Sequence, residues 1–123
     1  MESSSISDAQ ITASSQLDGN HSAKQGRLHF QAGGNKAGGW SALTNDTDQW
    51  LQVDFGSHTR VTQVATQGMN GVDEWVTRYK LQYSDNGVTY KFYQKIGDTA
   101  VTVSFFLVLS TKLTSNGHIY NIN

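Results

Sequence analysis

The chain has 123 residues, with 9 basic against 10 acidic side chains and a formal net charge of −1. That length holds one domain at most, and a near-neutral chain without Lys/Arg clusters has no field to hold a polyanion, so nucleic acid is excluded as a partner. Cysteine is absent, which rules out a disulfide staple and a thiol nucleophile.

A chain of this size can bury about two-thirds of its unfolded surface. Aromatics make up 11% of it, with 3 Trp and 5 Tyr. Ser, Thr, Asn and Gly are abundant and long helix-forming runs are missing, which favours β structure with polar loops. The start, MESSSISDAQ, has neither the basic segment nor the apolar run of a signal peptide. As it stands the chain enters no secretory route; the other expectation is a fragment whose upstream leader was lost. The most apolar window, residues 101–109, is too short to span a bilayer as a helix.

In chain order, residues 1–7 are polar and expected to be loose. Residues 9–13 read as a short first strand, and residues 14–25 as a loop with a Gly-Asn turn signal. Residues 27–31 (RLHFQ) alternate well enough for a strand. Residues 32–39 (AGGNKAGG) hold four glycines, which suits a sharply turning or closely packed backbone. No GK[ST] follows, so this is not a phosphate loop.

Residues 50–55 (WLQVDF) alternate Leu51, Val53 and Phe55 against Trp50, Gln52 and Asp54, and Gly56-Ser57 is expected to break the strand. Residues 60–67 are rich in Val and Thr. Residues 69–74 form another polar loop. The clearest strand is 75–83, with Trp75, Thr77, Tyr79, Leu81 and Tyr83 on one face. Asn86-Gly87 then signals a hairpin into an aromatic strand at 88–93. Many short strands with regularly spaced turns indicate a sandwich or barrel.

The stretch ITASS at 11–15, GRLH at 26–29, Trp40, WLQVDFG at 50–56, VTQVATQG at 61–68, WVTRYKLQYSDNG at 75–87 and the Tyr90/Tyr93 pair resembles, in order and spacing, the discoidin domain family. This is also called the C-type domain of coagulation factors V and VIII. The likeness covers residues 8–98. It implies an all-β fold, a distorted antiparallel jelly-roll barrel or sandwich, with ligands held by three hairpin loops at one end. It implies a non-catalytic binding or adhesion module, extracellular or at a cell surface in its full-length context, and galactose-binding-like.

Two departures from the family stand out. The cysteines that usually close the domain are missing. After residue 102 the expected final strands are replaced by VSFFLVLSTKLTSNGHIYNIN, which reads as a truncated or alternatively spliced product, or a gene model running through an exon edge. The expected division is therefore a loose segment at 1–7, the domain at 8–102 and a divergent tail at 103–123. The alternation Val101, Val103, Phe105, Leu107, Leu109 either supplies one replacement strand or marks an aggregation-prone tail without a fixed partner, leaving the barrel incomplete.

The resemblance places the binding loops at residues 16–24, 32–39 and 69–74. Their side chains suit a cell-surface glycan or glycoprotein: Asp18, Asn20, His21, Asn70, Asp73 and Glu74 can pair with sugar hydroxyls, and adjacent Trp75 can stack on a pyranose ring. Against this, each is more simply a solvated turn residue, and Trp75 shares its face with Tyr79 and Leu81 and reads first as core, as do Trp40 and Trp50. The alternatives are a truncated product that binds nothing, or a module for anionic phospholipid (phosphatidylserine). Leu17, Met69 and Val72 are its apolar tips and Lys24 and Lys36 its cations, but Asp18, Asp73 and Glu74 would repel an anionic membrane.

No cofactor is expected. Calcium would have Asp18, Asp46 and Asp48 as its candidate ligands, short of the six or more oxygens a cage needs. Arg27 and Asp54, charged residues within expected strands, are read as structural, paired with each other or with loop backbone. The sequons Asn20-His-Ser and Asn45-Asp-Thr are about as many as chance supplies. His21, His29, His58 and His118 form no HExxH pattern and GxSxG is absent, so enzyme chemistry finds no support.

Overall fold

The computed structural model describes residues 6–46, 48–61, 64–76, 78–93, 101–112 and 117–122; for Arg78 and the last two stretches the description is of backbone alone. Residues 1–5 and Thr77, each part of an expectation above, lie outside it. Among the described residues seven strands form: β1 (Ile11–Ala13), β2 (Gln49–Val61), β3 (Val64–Gly68), β4 (Arg78–Ser84), β5 (Lys91–Phe92), β6 (Val101–Lys112) and β7 (Gly117–Ile122). They make a five-stranded sheet in the order β1-β2-β6-β4-β5 and a two-stranded sheet of β3 and β7. All pairings are antiparallel. The fold is the all-β antiparallel sandwich expected, and among the described residues its two sheets do not close into a barrel.

Alternation on β2 sets the core. Leu51 and Val53 are buried at 3% and 4% exposure, while Trp50, Gln52 and Asp54 are half-buried. In the β1–β2 register Ile11 faces Val53 and Ala13 faces Leu51, so both apolar sets share one face. Trp40 and Ala42 complete the buried cluster, with Leu28, Phe55 and Val76 packed against it. Trp40 also donates its indole N–H to the Ser15 carbonyl at 2.8 Å, so the ring is buried without an orphaned donor. Truncating Leu51 or Trp40 to alanine should cost on the order of 2–5 kcal/mol.

Gly56-Ser57 does not end the strand. β2 runs through it, and the irregularity appears as a register shift against β6 between Asp54 and Thr59. Gly56 supplies a φ of 70°, and Asp54 Oδ1 accepts its N–H at 2.7 Å. β6 lies between β2 and β4 and pairs with both: Leu51 and Leu81 each oppose Val108, and Val53 and Tyr83 each oppose Phe106.

Residues 27–31 form no strand. Phe30 N–H closes a turn on the Arg27 carbonyl at 3.2 Å, and His29 has a φ of 59°, which extended backbone cannot accommodate. Arg27 reaches the incoming chain. It donates to Asp8 Oδ1 at 2.8 Å and to the Ile6 carbonyl at 2.6 Å, holding the incoming chain against the loop.

The expected strand at 75–83 starts late, at Arg78. The strand expected at 88–93 shrinks to Lys91–Phe92. The cause lies in the connection between them. Ser84 Oγ accepts from Gly87 N at 2.9 Å, and Asn86 Oδ1 accepts from Val88 N and Thr89 N at 2.8 and 2.9 Å. These side-chain bonds compete with the ladder and lengthen the turn. Phe92, on the edge strand, is half exposed with Lys80 Nζ 5.4 Å from its ring centroid. Among the described residues no helix is long and apolar enough to cross a membrane.

Candidate loop-cluster binding site

The loop at residues 16–24 is two 3-10 turns in series. Asp18, in extended backbone, caps the first over Gly19–His21. Its Oδ1 accepts the Asn20 N–H at 2.8 Å and lies 2.7 Å from His21 Nδ1. The hydrogen bond with His21 holds the Asp18 carboxyl below its ordinary value, aided by the Asn20 N–H. The second turn, Ala23–Gly26, opens with Ser22 and closes back on it through Gln25, in a Ser-x-x-Gln pattern.

The loop at 32–39 is a tight reversal. Gly33 and Lys36 exchange both backbone bonds at 3.1 Å around Gly34, whose φ is 53°. The loop at 69–74 closes when Met69 N donates to the Glu74 carbonyl at 2.8 Å, with Gly71 at a φ of 90° and Met69 buried beneath.

Backbone bonds join the three loops into one body. Ala37 N donates to the Asn20 carbonyl at 2.9 Å, linking the first loop to the second. Asn70 N donates to the Gly38 carbonyl at 3.4 Å, and Ala32 N donates to Asn70 Oδ1 at 3.0 Å, linking the second to the third. The base of the first loop is fixed by Leu17 N to the Ser41 carbonyl at 2.8 Å and Ser41 N to the His21 carbonyl at 3.3 Å.

Within this cluster Asp18, Asn20 and Asp73 are exposed, and His21, Asn70 and Glu74 are half-buried. Asn70 spends its side-chain oxygen on Ala32, which leaves its amide hydrogens as the group it can offer. Trp75 is 51% exposed and is not a core residue. It precedes β4, so the strand alternation that assigned it to the face of Tyr79 does not extend to it; it follows Glu74 on the loop side. Tyr79 is itself 39% exposed, and Trp50 is half-buried, so of the three tryptophans Trp40 alone is fully in the core.

Asp46 and Asp48 belong to a separate turn before β2. Asp46 accepts from Thr44 Oγ1 at 2.7 Å, from Asp48 N at 2.9 Å and from Gln49 Nε2 at 2.8 Å. These bonds, that of Thr44 foremost, lower its pKa. Among the described residues no group of three or more His, Asp or Glu is placed to hold a metal ion.

Sequence reasoning missed Gln25, which is 1% exposed and bonds to both the first and second loops. The capping pattern Ser22-x-x-Gln25 was the signal that could have found it.

The F5/8 type C domain model matches residues 10–111, past residue 102 and through most of β6. Among solved structures, wild-type discoidin II from Dictyostelium discoideum is similar with a TM-score of 0.76 at 19% identity, over 89% of this chain and 52% of that one. The chain thus spans about half the length of discoidin II. Chitosan-binding module 2 of a Paenibacillus sp. IK-5 chitosanase/glucanase, solved with chitotriose, gives a TM-score of 0.64 at 16% identity over 90% of this chain and 95% of that one. The family 32 carbohydrate-binding module of C. perfringens NanJ, solved with galactose, gives 0.60 at 15% identity over 95% and 92%. At these identities the likeness is one of fold. The family match, covering most of the chain, goes further: this protein belongs to the F5/8 type C, or discoidin, domain family.

Proposed function

We propose that the chain is a non-catalytic carbohydrate-binding module that recognises a cell-surface glycan or glycoprotein through its three joined loops, outside the cell. The observation that carries the reading is the linkage of residues 16–24, 32–39 and 69–74 by the Asn20–Ala37 and Gly38–Asn70 bonds, beside a half-exposed Trp75. A rigid scaffold that gathers polar loops suits binding. In it Asp18, Asn20, His21, Asn70, Asp73 and Glu74 pair with sugar hydroxyls and Trp75 offers an aromatic face. The sugars held by similar structures, galactose and chitotriose, support a pyranose as ligand.

Leu17 and Val72, at 43% and 51% exposure on the same loops, favour a second reading, attachment to anionic phospholipid. The carboxylates of Asp18, Asp73 and Glu74 oppose it. A glycan array bearing galactose- and GalNAc-terminated sugars, run beside phosphatidylserine vesicles, separates the two. Retention on sugars with none on vesicles is the expected result. Binding to vesicles alone, or to neither surface, would overturn the glycan reading.

A further inference from the structure

Gln25 is a polar side chain at 1% exposure, among the most deeply buried of the described residues. Its amide is used at both ends. Nε2 donates to the Asn20 carbonyl and, at 2.8 Å, to the Ala37 carbonyl. Oε1 accepts from Ser22 N at 2.9 Å and Ser22 Oγ at 2.8 Å. The two carbonyls belong to different loops, and the Asn20 carbonyl also takes the Ala37 N–H that joins them. A primary amide can donate two hydrogens from one end while accepting at the other. Glutamate at this place would set a carboxylate against two carbonyl oxygens, and methionine would leave the Ala37 carbonyl without its Gln25 donor.

We propose that Gln25 is the positioning residue of the loop cluster. Its buried amide fixes the spacing between the turn carrying Asp18, Asn20 and His21 and the loop at 32–39, and so sets ligand affinity without touching the ligand. This rests on the binding reading above and deepens it. Gln49 provides the internal contrast. It too is buried, at 7% exposure, with both amide ends bonded, but its partners are Ser14, Ser15, Thr44 and Asp46, none of them a residue of the joined loops.

The test compares the full chain as wild type, Gln25→Met, Gln25→Glu and Gln49→Met. Three readouts are taken: amide hydrogen exchange at Ala37, Ser41 and Val53, thermal melting, and retention on immobilised galactose. Both Gln25 variants should keep a cooperative melt, exchange roughly tenfold faster at Ala37 and Ser41 than wild type while Val53 holds, and bind galactose about tenfold more weakly. Gln49→Met should lower the melting temperature with exchange at Ala37 unchanged. Several results overturn the proposal: unchanged exchange at Ala37, equal acceleration at Val53, loss of the cooperative melt, or the same loop-specific effect from Gln49→Met. If wild type itself retains no galactose, it is the choice of sugar that fails, and exchange at Ala37 against Val53 still decides the role of Gln25.

Discussion

Gly38 lies so close to Asn70 that a β-carbon on it would stand 2.2 Å from the Asn70 carbonyl oxygen and 2.7 Å from the Asn70 Cβ. The obstacle is backbone, so it cannot swing aside. This approach permits the Gly38–Asn70 bridge that carries the third loop on the second. Gly38→Ala should therefore force the two loops apart, destabilise the fold by about 1–3 kcal/mol and weaken sugar binding. Gly33 is the control: it sits in the same loop with nothing within 4 Å of an added Cβ. Gly33→Ala should melt within about 0.5 kcal/mol of wild type. Equal melting curves for the two variants would refute the close-approach argument.

Trp75 tests the site itself. A half-exposed indole contributes little to the core, so Trp75→Ala should leave the melting temperature within a few degrees of wild type. If the ring stacks on a pyranose, the same variant should lose most of its retention on the glycan array. A core role predicts the opposite pattern, with a loss of about 3–5 kcal/mol in stability. Chemical denaturation and array binding, measured on one preparation, separate the two.

Much of the fold was legible because strand alternation and burial agree. Leu51 and Val53 fall inward where period-two counting groups them, with Phe55 half-buried beside them. Backbone bonds link the loops at residues 16–24, 32–39 and 69–74. What sequence reasoning misplaced has local causes. Side-chain-to-backbone bonds from Ser84 and Asn86 compete with the ladder and shorten the strand after the Asn-Gly signal. A φ of 59° at His29 turns an alternating RLHFQ into a bend. Periodicity does not say where a strand begins, so alternation alone takes in Trp75, whereas the strand starts at Arg78. Gln25 and Gln49 are buried glutamines whose value lies in where both amide ends reach, and no hydropathy pattern reports that.

The Asp18–His21 contact gives the first loop an acid-sensitive element. His21 holds the Asp18 carboxyl below its ordinary 3.8, so the folded loop favours the ionised form. The contribution is fully present above 3.8, and it fades as pH falls through the lowered value of the folded state. The carboxylate is solvent-exposed, so the effect is small and screened by salt. Asp18→Asn keeps an acceptor for the Asn20 N–H but loses the charge. Wild type should melt above this variant at pH 6, and the gap should close below pH 3.8 and in high salt. A gap that persists through acidification would show that the charge is not what His21 recognises.

Ser41 and Ser84 make a matched pair of buried serines, at 1% and 2% exposure, with opposite hydrogen-bond status. Among the described residues Ser41 Oγ has no partner, although its backbone N–H and carbonyl brace the first loop. Ser84 Oγ accepts from Gly87 N and donates to Asn86 Oδ1 at 3.1 Å. A buried hydroxyl without a partner costs free energy, whereas a bonded one returns about 0.5–1.5 kcal/mol and strands its partners when removed. Ser41→Ala should therefore be neutral or stabilising by about 1 kcal/mol and leave the backbone braces intact. Ser84→Ala should be destabilising by about 1–3 kcal/mol, because it releases the turn before β5. Urea denaturation of both variants gives the comparison. A Ser41→Ala protein less stable than Ser84→Ala would mean that the Ser41 hydroxyl holds something in solution, and its place at the base of the first loop would make it the next residue to probe.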